Sequence, residues 1–143
     1  MKKVAKNMDE LNAMLMKEIQ KSMNVASEQM LADMYGETYK FYTKGKPKSY
    51  ERTGALGDTP STTAPIVTAN TVSFEAYLDT SHQYTTGKNP NMLDVLKLAN
   101  SGITKSSVGY LRPTLGKKGF WEASEKKMEK TLNRTFRKFF KKI

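Results

Sequence analysis

Between Asn7 and Met34 apolar residues recur at Met8, Leu11, Leu15, Ile19, Met23, Ala26, Met30 and Met34, in steps of three and four. At 100° per residue these positions fall on one stripe, which predicts an amphipathic helix. Asn7, with Glu10 three residues on, reads as a capping box at its start, and Gly36 reads as its stop. A helix from Asn7 to Met34 spans about 42 Å, longer than the ~30 Å width of a small domain. It overhangs its own core or rests on another chain.

Two apolar residues leave the stripe. Met14 and Val25 are eleven apart and share an azimuth roughly 60–80° to the side of Leu15. They either widen the core face or form a subunit contact. Seven of the nine methionines fall in the first 34 residues; methionine is flexible enough to suit an adaptable surface as well as a core.

Downstream the pattern changes. Tyr35, Tyr39, Phe41 and Tyr42 have the aromatic content of a short strand or an anchored extended segment. Lys44 to Pro65 reads as a long loop by its Gly, Pro, Ser and Thr content. With little to bury, it is expected to be mobile in a free subunit and ordered by neighbours. Ile66-Val67, a turn at Ala69-Asn70, and Thr71 to Asp79 then predict an antiparallel hairpin. In its second strand Val72, Phe74, Ala76 and Leu78 alternate with polar-side positions. A short buried helix follows, with Pro90 at its first position, Met92 to Ala99 apolar nearly all round, and Gly102 as its close. Val108 to Leu111 is a last short strand. Phe120 or Trp121 opens a final helix with Met128, Leu132, Phe136, Phe139 and Ile143 at helical spacing.

Composition excludes several functions. At 143 residues the chain is expected to form a single domain, 1–143. With no Cys and one His it has no disulfide scaffold, thiol nucleophile, thiolate site or multi-histidine metal site. It shows neither a ~20-residue apolar run nor the apolar stretch of a signal peptide, so a soluble protein made inside a cell is expected. His82 lies near Asp79 and Ser81, but sequence proximity does not make a triad. No paired carboxylates, Walker loop or dinucleotide fingerprint is present. No enzyme, cofactor or metal is expected.

The net charge is +10, and Lys117 to Ile143 holds ten Lys/Arg against three Glu, so most of the excess is on the last helix. Lys126, Lys127, Lys130, Arg134, Arg137, Lys138, Lys141 and Lys142 form a candidate basic face, suited to phosphates, to an acidic protein or to solvent. Gly116-Lys117-Lys118-Gly119 has the G-x-x-G form of the KH backbone clamp. Pro113 and Gly109, however, stand where the preceding KH helix should be. Phe139 and Phe140 permit a membrane-surface helix, which three glutamates on the same helix oppose.

Tyr50-Glu51-Arg52-Thr53-Gly54-Ala55-Leu56, following the aromatic helix exit, is the most specific tract. With the order of elements around it, it resembles the small tail-completion or head–tail joining proteins of long-tailed bacteriophages. That family has a long N-terminal helix, an R-T-G-x-L turn, a β-hairpin, a buried helix ending in Gly, and an aromatic-started C-terminal helix. The resemblance covers most of the chain and implies no catalytic residues. The loop from Gly57 to Pro65 departs from it by offering little strand sequence after the turn. So does the cationic Lys117-Lys118 at the start of the last helix. Gly54 can take positive φ, Thr53 can bond backbone groups and Arg52 can fork onto a carboxylate. The three are either a structural turn or a subunit contact.

The expected fold is α+β, with a long N-terminal and a basic C-terminal helix on a small, mostly antiparallel sheet, completed by a short buried helix. The expected function is that of a structural virion protein of the phage neck or tail, made in the host cytoplasm. The resemblance implies a homo-oligomeric ring, a hexamer or alternatively a dodecamer. Its neighbours would be a head-connector or stopper protein and a tail-terminator or tail-tube protein. Genomic DNA would pass through the lumen without sequence-specific contact, and no membrane would be involved. The alternative is a basic, sequence-nonspecific nucleic-acid-binding domain.

Overall fold

A computed structural model describes residues 4–45, 54–82, 91–105, 111–113 and 116–141. The first helix, α1, runs Met8–Tyr39, and its start is reciprocally capped. Glu10 N–H donates to Asn7 Oδ1 at 2.8 Å, and the Glu10 carboxylate accepts from Lys6 N–H at 2.7 Å. Gly36 does not stop this helix: the chain continues through it to Tyr39 and then a 3-10 turn, Lys40–Thr43. Glycine costs an exposed helix about 1 kcal/mol, but the next two residues, Glu37 and Thr38, are buried. Tertiary contact outweighs the local preference. The aromatic cluster is therefore helical, not strand: Tyr35, Tyr39 and Tyr42 form a chain of tilted rings along the helix exit.

A second long helix, α3, spans Phe120–Phe140. It lies antiparallel to α1, because Thr131 Oγ1 donates to Asp33 Oδ2 and Lys127 Nζ to Glu37 Oε1. The buried residues of this pair are largely small and hydroxyl-bearing: Ser22, Ala26 and Thr38 on α1, Ser124, Thr131 and Thr135 on α3. Small side chains let two helices approach closely, provided each hydroxyl is satisfied. Ser22 donates to the Ile19 carbonyl, Thr38 to Met34, Ser124 to Phe120 and Thr135 to Thr131. Each thus returns a hydrogen bond to its own helix. The apolar stripe of α1 reaches the core at Ala26 and Met34, whereas Met8 is 76% exposed.

The segment expected as a loop from Lys44 to Pro65 is only partly one. Leu56 belongs to the apolar core with Met92, Leu96, Ala99 and Phe120. Thr59 and Pro60 are also buried, and Pro60–Thr62 forms β1. This strand pairs antiparallel with β4, Ala76–Leu78, while β2, Ile66–Val67, pairs with β3, Val72–Ser73. The two ladders are one ribbon, held between them by Thr63 N–H donating to the Glu75 carbonyl at 2.9 Å. The register shifts from Thr62↔Ala76 to Ile66↔Ser73, so the outgoing strand carries one extra residue at Ala64-Pro65. Proline has no N–H to offer a ladder, and a bulge is where a ribbon tolerates it. The predicted alternation holds: Val72, Phe74, Ala76 and Leu78 are half-buried while Ser73, Glu75 and Tyr77 are exposed.

The short helix, α2, is Met92–Ser101, and Asn91 is its N-cap, accepting from Leu93 N–H at 2.8 Å. Pro90 therefore precedes the helix and lies outside the described residues. Gly102 closes α2 at φ +75°. A pair the sequence reading missed in part follows: β5, Ile103–Lys105, antiparallel to β6, Leu111–Pro113. The expected strand from Val108 overlaps it only at Leu111, its earlier residues lying outside the described set. The architecture is α+β, and every strand pair among the described residues is antiparallel.

Candidate interaction surfaces

The antiparallel register fixes what α3 covers. Thr131 meets Asp33 and Lys127 meets Glu37. At equal rise on both helices, Phe140 comes level with about Asn24, and α1 runs on past it for about 24 Å. Along this extension Met8 and Leu11 are exposed, while Leu15 and Ile19 are half-buried. The end of α3 adds an exposed Phe140, stacked on Phe136 with ring centroids 5.8 Å apart. One end of the helix pair is thus an apolar surface.

Val25 is exposed and Met14 half-buried, and both lie on the flank of α1 turned away from Ala26 and Met34. Ala32, Tyr35 and Tyr39 continue that flank and are also exposed. Gly54 has φ +79°, the left-handed conformation expected of it. Arg52 and Thr53 lie outside the described residues.

The basic residues divide. Lys127 is paired: its Nζ lies 3.1 Å from Glu37 Oε1, whose other cation is Lys40 at 2.8 Å. Burial tends to raise the Glu37 pKa, but the hydrogen bonds and charges of Lys40 and Lys127 outweigh this and hold it below 4.5. Lys126, Lys130, Arg134, Arg137, Lys138 and Lys141 are exposed. All of these but Lys126 surround an open depression together with Asn133. Lys142 lies outside the described residues.

The G-x-x-G glycines have local structural causes. A Cβ on Gly116 would enter the Phe41 ring, and Lys117 N–H donates to the Phe41 carbonyl at 3.0 Å. Gly119, at φ +78°, is the N-cap of α3. The side-chain cap comes instead from α2: Asn100 Oδ1 accepts from Trp121 N–H at 2.8 Å, and Asn100 Nδ2 donates to both Glu122 oxygens at 3.0 Å. Sequence reasoning passed over Glu37 and Asn100, and read Gly116 only as part of a G-x-x-G run. Apart from Lys40, three residues from Glu37, their partners are 21 to 90 positions away in the chain, beyond any local pattern, though an Asn ending one helix before a Gly-started second was a faint signal.

Near His82, Asp79 Oδ1 accepts from Ser81 N–H at 2.9 Å. The Ser81 backbone and side-chain hydrogen bonds hold its carboxyl below 3.8. That carboxylate closes a tight turn, and His82 is exposed. Among the described residues no group of three or more His, Asp or Glu could hold a metal ion. No helix among them is long and apolar enough to cross a membrane.

A family profile covers residues 7–143, from the α1 cap to the last residue of the chain. The chain belongs to the YomN family. YomN proteins are phage proteins, so a phage origin stands for this chain as well. The YomN match takes in both long helices, the ribbon and the segments between them. Comparison with curated proteins and with solved structures gives no match.

Proposed function

We propose that this YomN-family protein is a structural component of the phage virion that acts at the neck or tail. It would complete the tail or join it to the head connector as a homo-oligomeric ring around the DNA channel. The observation that carries this reading is the extension of α1 beyond α3. That extension leaves Met8 and Leu11 exposed roughly 20–24 Å beyond the level of Phe140, an apolar end that a neighbouring subunit would cover. The outward flank with Met14, Val25, Tyr35 and Tyr39 offers a second contact. Two different surfaces meeting head-to-tail close into a ring when the rotation between neighbours allows. A connector or stopper on one side and a terminator or tube protein on the other are the proposed partners. No catalytic step is assigned.

The test is a photo-crosslinking residue at Leu11 in phage carrying the protein. Self-crosslinks in purified particles, with images that place the protein at the head–tail junction, are the expected result. Absence of the protein from particles would overturn the reading. A sequence-nonspecific nucleic-acid-binding domain outside the virion is the second reading, favoured by the cationic flank of α3.

A further inference from the structure

On α3, Lys126, Lys130, Arg134, Arg137 and Lys141 follow one another in steps of four, four, three and four. They fall within about 80° of one another round the helix and extend about 22 Å along it. All five are exposed. The ion pairs among the described residues are Lys21–Glu18, Lys40–Glu37 and Lys127–Glu37, and none uses this stripe. Lys127, one residue from Lys126, differs from them in being ion-paired to Glu37 of α1.

The glutamates of α3 do not neutralise the stripe either. Glu122, Glu125 and Glu129 lie to one side of the stripe, in the first half of the helix; Glu122 and Glu129 flank Lys126 alone, at about 40° and 60° round the helix, and Glu122 is held by Asn100. From Lys130 onward the described part of the helix carries cations and no carboxylate. Lys130, Arg134, Arg137 and Lys141 border the open depression described above, with Asn133 and Lys138.

We propose that this stripe is a binding site for the phosphate backbone of duplex DNA, without base recognition. It deepens the neck reading, in which DNA passes the protein, by naming the surface that meets it. A membrane surface would call for a free apolar face on the helix beside its cations, yet Met128 is buried, Leu132, Phe136 and Phe139 are half-buried, and among the described residues of α3 Phe140 is the one exposed large apolar side chain. A protein partner would call for an aromatic or aliphatic anchor within the patch, and the stripe holds none. What remains is a row of point and fork donors spanning the axial length of about six base pairs, suited to phosphates of one strand.

The test uses the purified full-length protein and a fluorescently labelled 30-base-pair duplex of random sequence, titrated across salt concentrations. Binding with a log–log salt slope of about −4, equal for two unrelated sequences, is expected for four or five phosphate contacts. Lys130→Gln/Arg134→Gln/Arg137→Gln should lower affinity at least tenfold and flatten the slope by nearly 3. Lys17→Gln/Lys97→Gln/Lys117→Gln, which removes the same charge elsewhere, should change affinity less than threefold. Circular dichroism melts confirm that all variants fold. Equal loss in both triple variants, an unchanged slope, or binding only to vesicles containing an anionic lipid would each overturn the proposal. Because no particle is involved, failure here leaves the crosslinking test of the neck reading intact, and the reverse also holds.

Discussion

Lys127 Nζ of α3 lies 3.1 Å from Glu37 Oε1 of α1, and Lys40 reaches the same oxygen from the following turn at 2.8 Å. Glu37 is 7% exposed, so one nearly buried carboxylate holds two half-exposed ammonium groups where the helices are joined. Burial disfavours its charge, but the two lysines outweigh burial and hold its pKa below 4.5. A carboxylate whose folded pKa lies below its unfolded value stabilises the fold above the unfolded pKa. That stabilisation is lost as pH falls through the folded pKa. Chemical denaturation should therefore show stability dropping below about pH 4.5 in the wild type. Glu37→Gln should cost about 1–2 kcal/mol at pH 7, because both lysines can turn to water, and should flatten that acid limb.

Asn100 ties the end of α2 to the start of α3 through Trp121 N–H and the Glu122 carboxylate. Asn100→Ala removes the side-chain cap of α3's first turn and should cost about 1–2 kcal/mol. The measurement is the denaturation midpoint. A change within error would show that water replaces the amide without loss.

Gly116→Ala places a methyl group inside the Phe41 ring. The ring must leave its edge-on contact with Phe120, at 6.4 Å between centroids, so a loss of about 1–3 kcal/mol is expected. Unchanged stability would mean that Phe41 has another place to go.

Met14 and Val25 share a flank but not an environment. Val25 is 36% exposed, so Val25→Asp should leave the melting temperature of the free subunit within about 2 °C while incorporation into particles falls. Met14 is half-buried, and Met14→Asp should lower the melting temperature by several degrees as well. Normal incorporation of both variants would remove this flank from the proposed interface.

His82→Ala should leave particle assembly and infectivity unchanged, because the neighbouring Asp79 carboxylate is engaged by Ser81 in a turn. Loss of infectivity with normal incorporation would assign His82 a role in chemistry.

Local patterns determined much of this fold. The steps of three and four from Met8 to Met34 set α1, the period of two from Val72 to Leu78 set the half-buried ribbon face, and Gly102 set the close of α2. The cations of α3 were legible as well, since charge at helical spacing needs no partner to be seen. Tertiary structure decided the rest. It carried α1 through Gly36, because burying Glu37, which meets Lys127 of α3, and Thr38 after it outweighs a glycine's local cost. It drew β1 out of an apparent loop, because Pro60–Thr62 has a strand only when Ala76–Leu78 is beside it. It chose Ser22, Ala26, Ser124, Thr131 and Thr135 for the helix interface, where close approach matters more than hydrophobicity. It also separated Lys127 from its neighbours. A sequence shows which side chains carry charge; only the distance to Glu37 shows which of those charges is already neutralised.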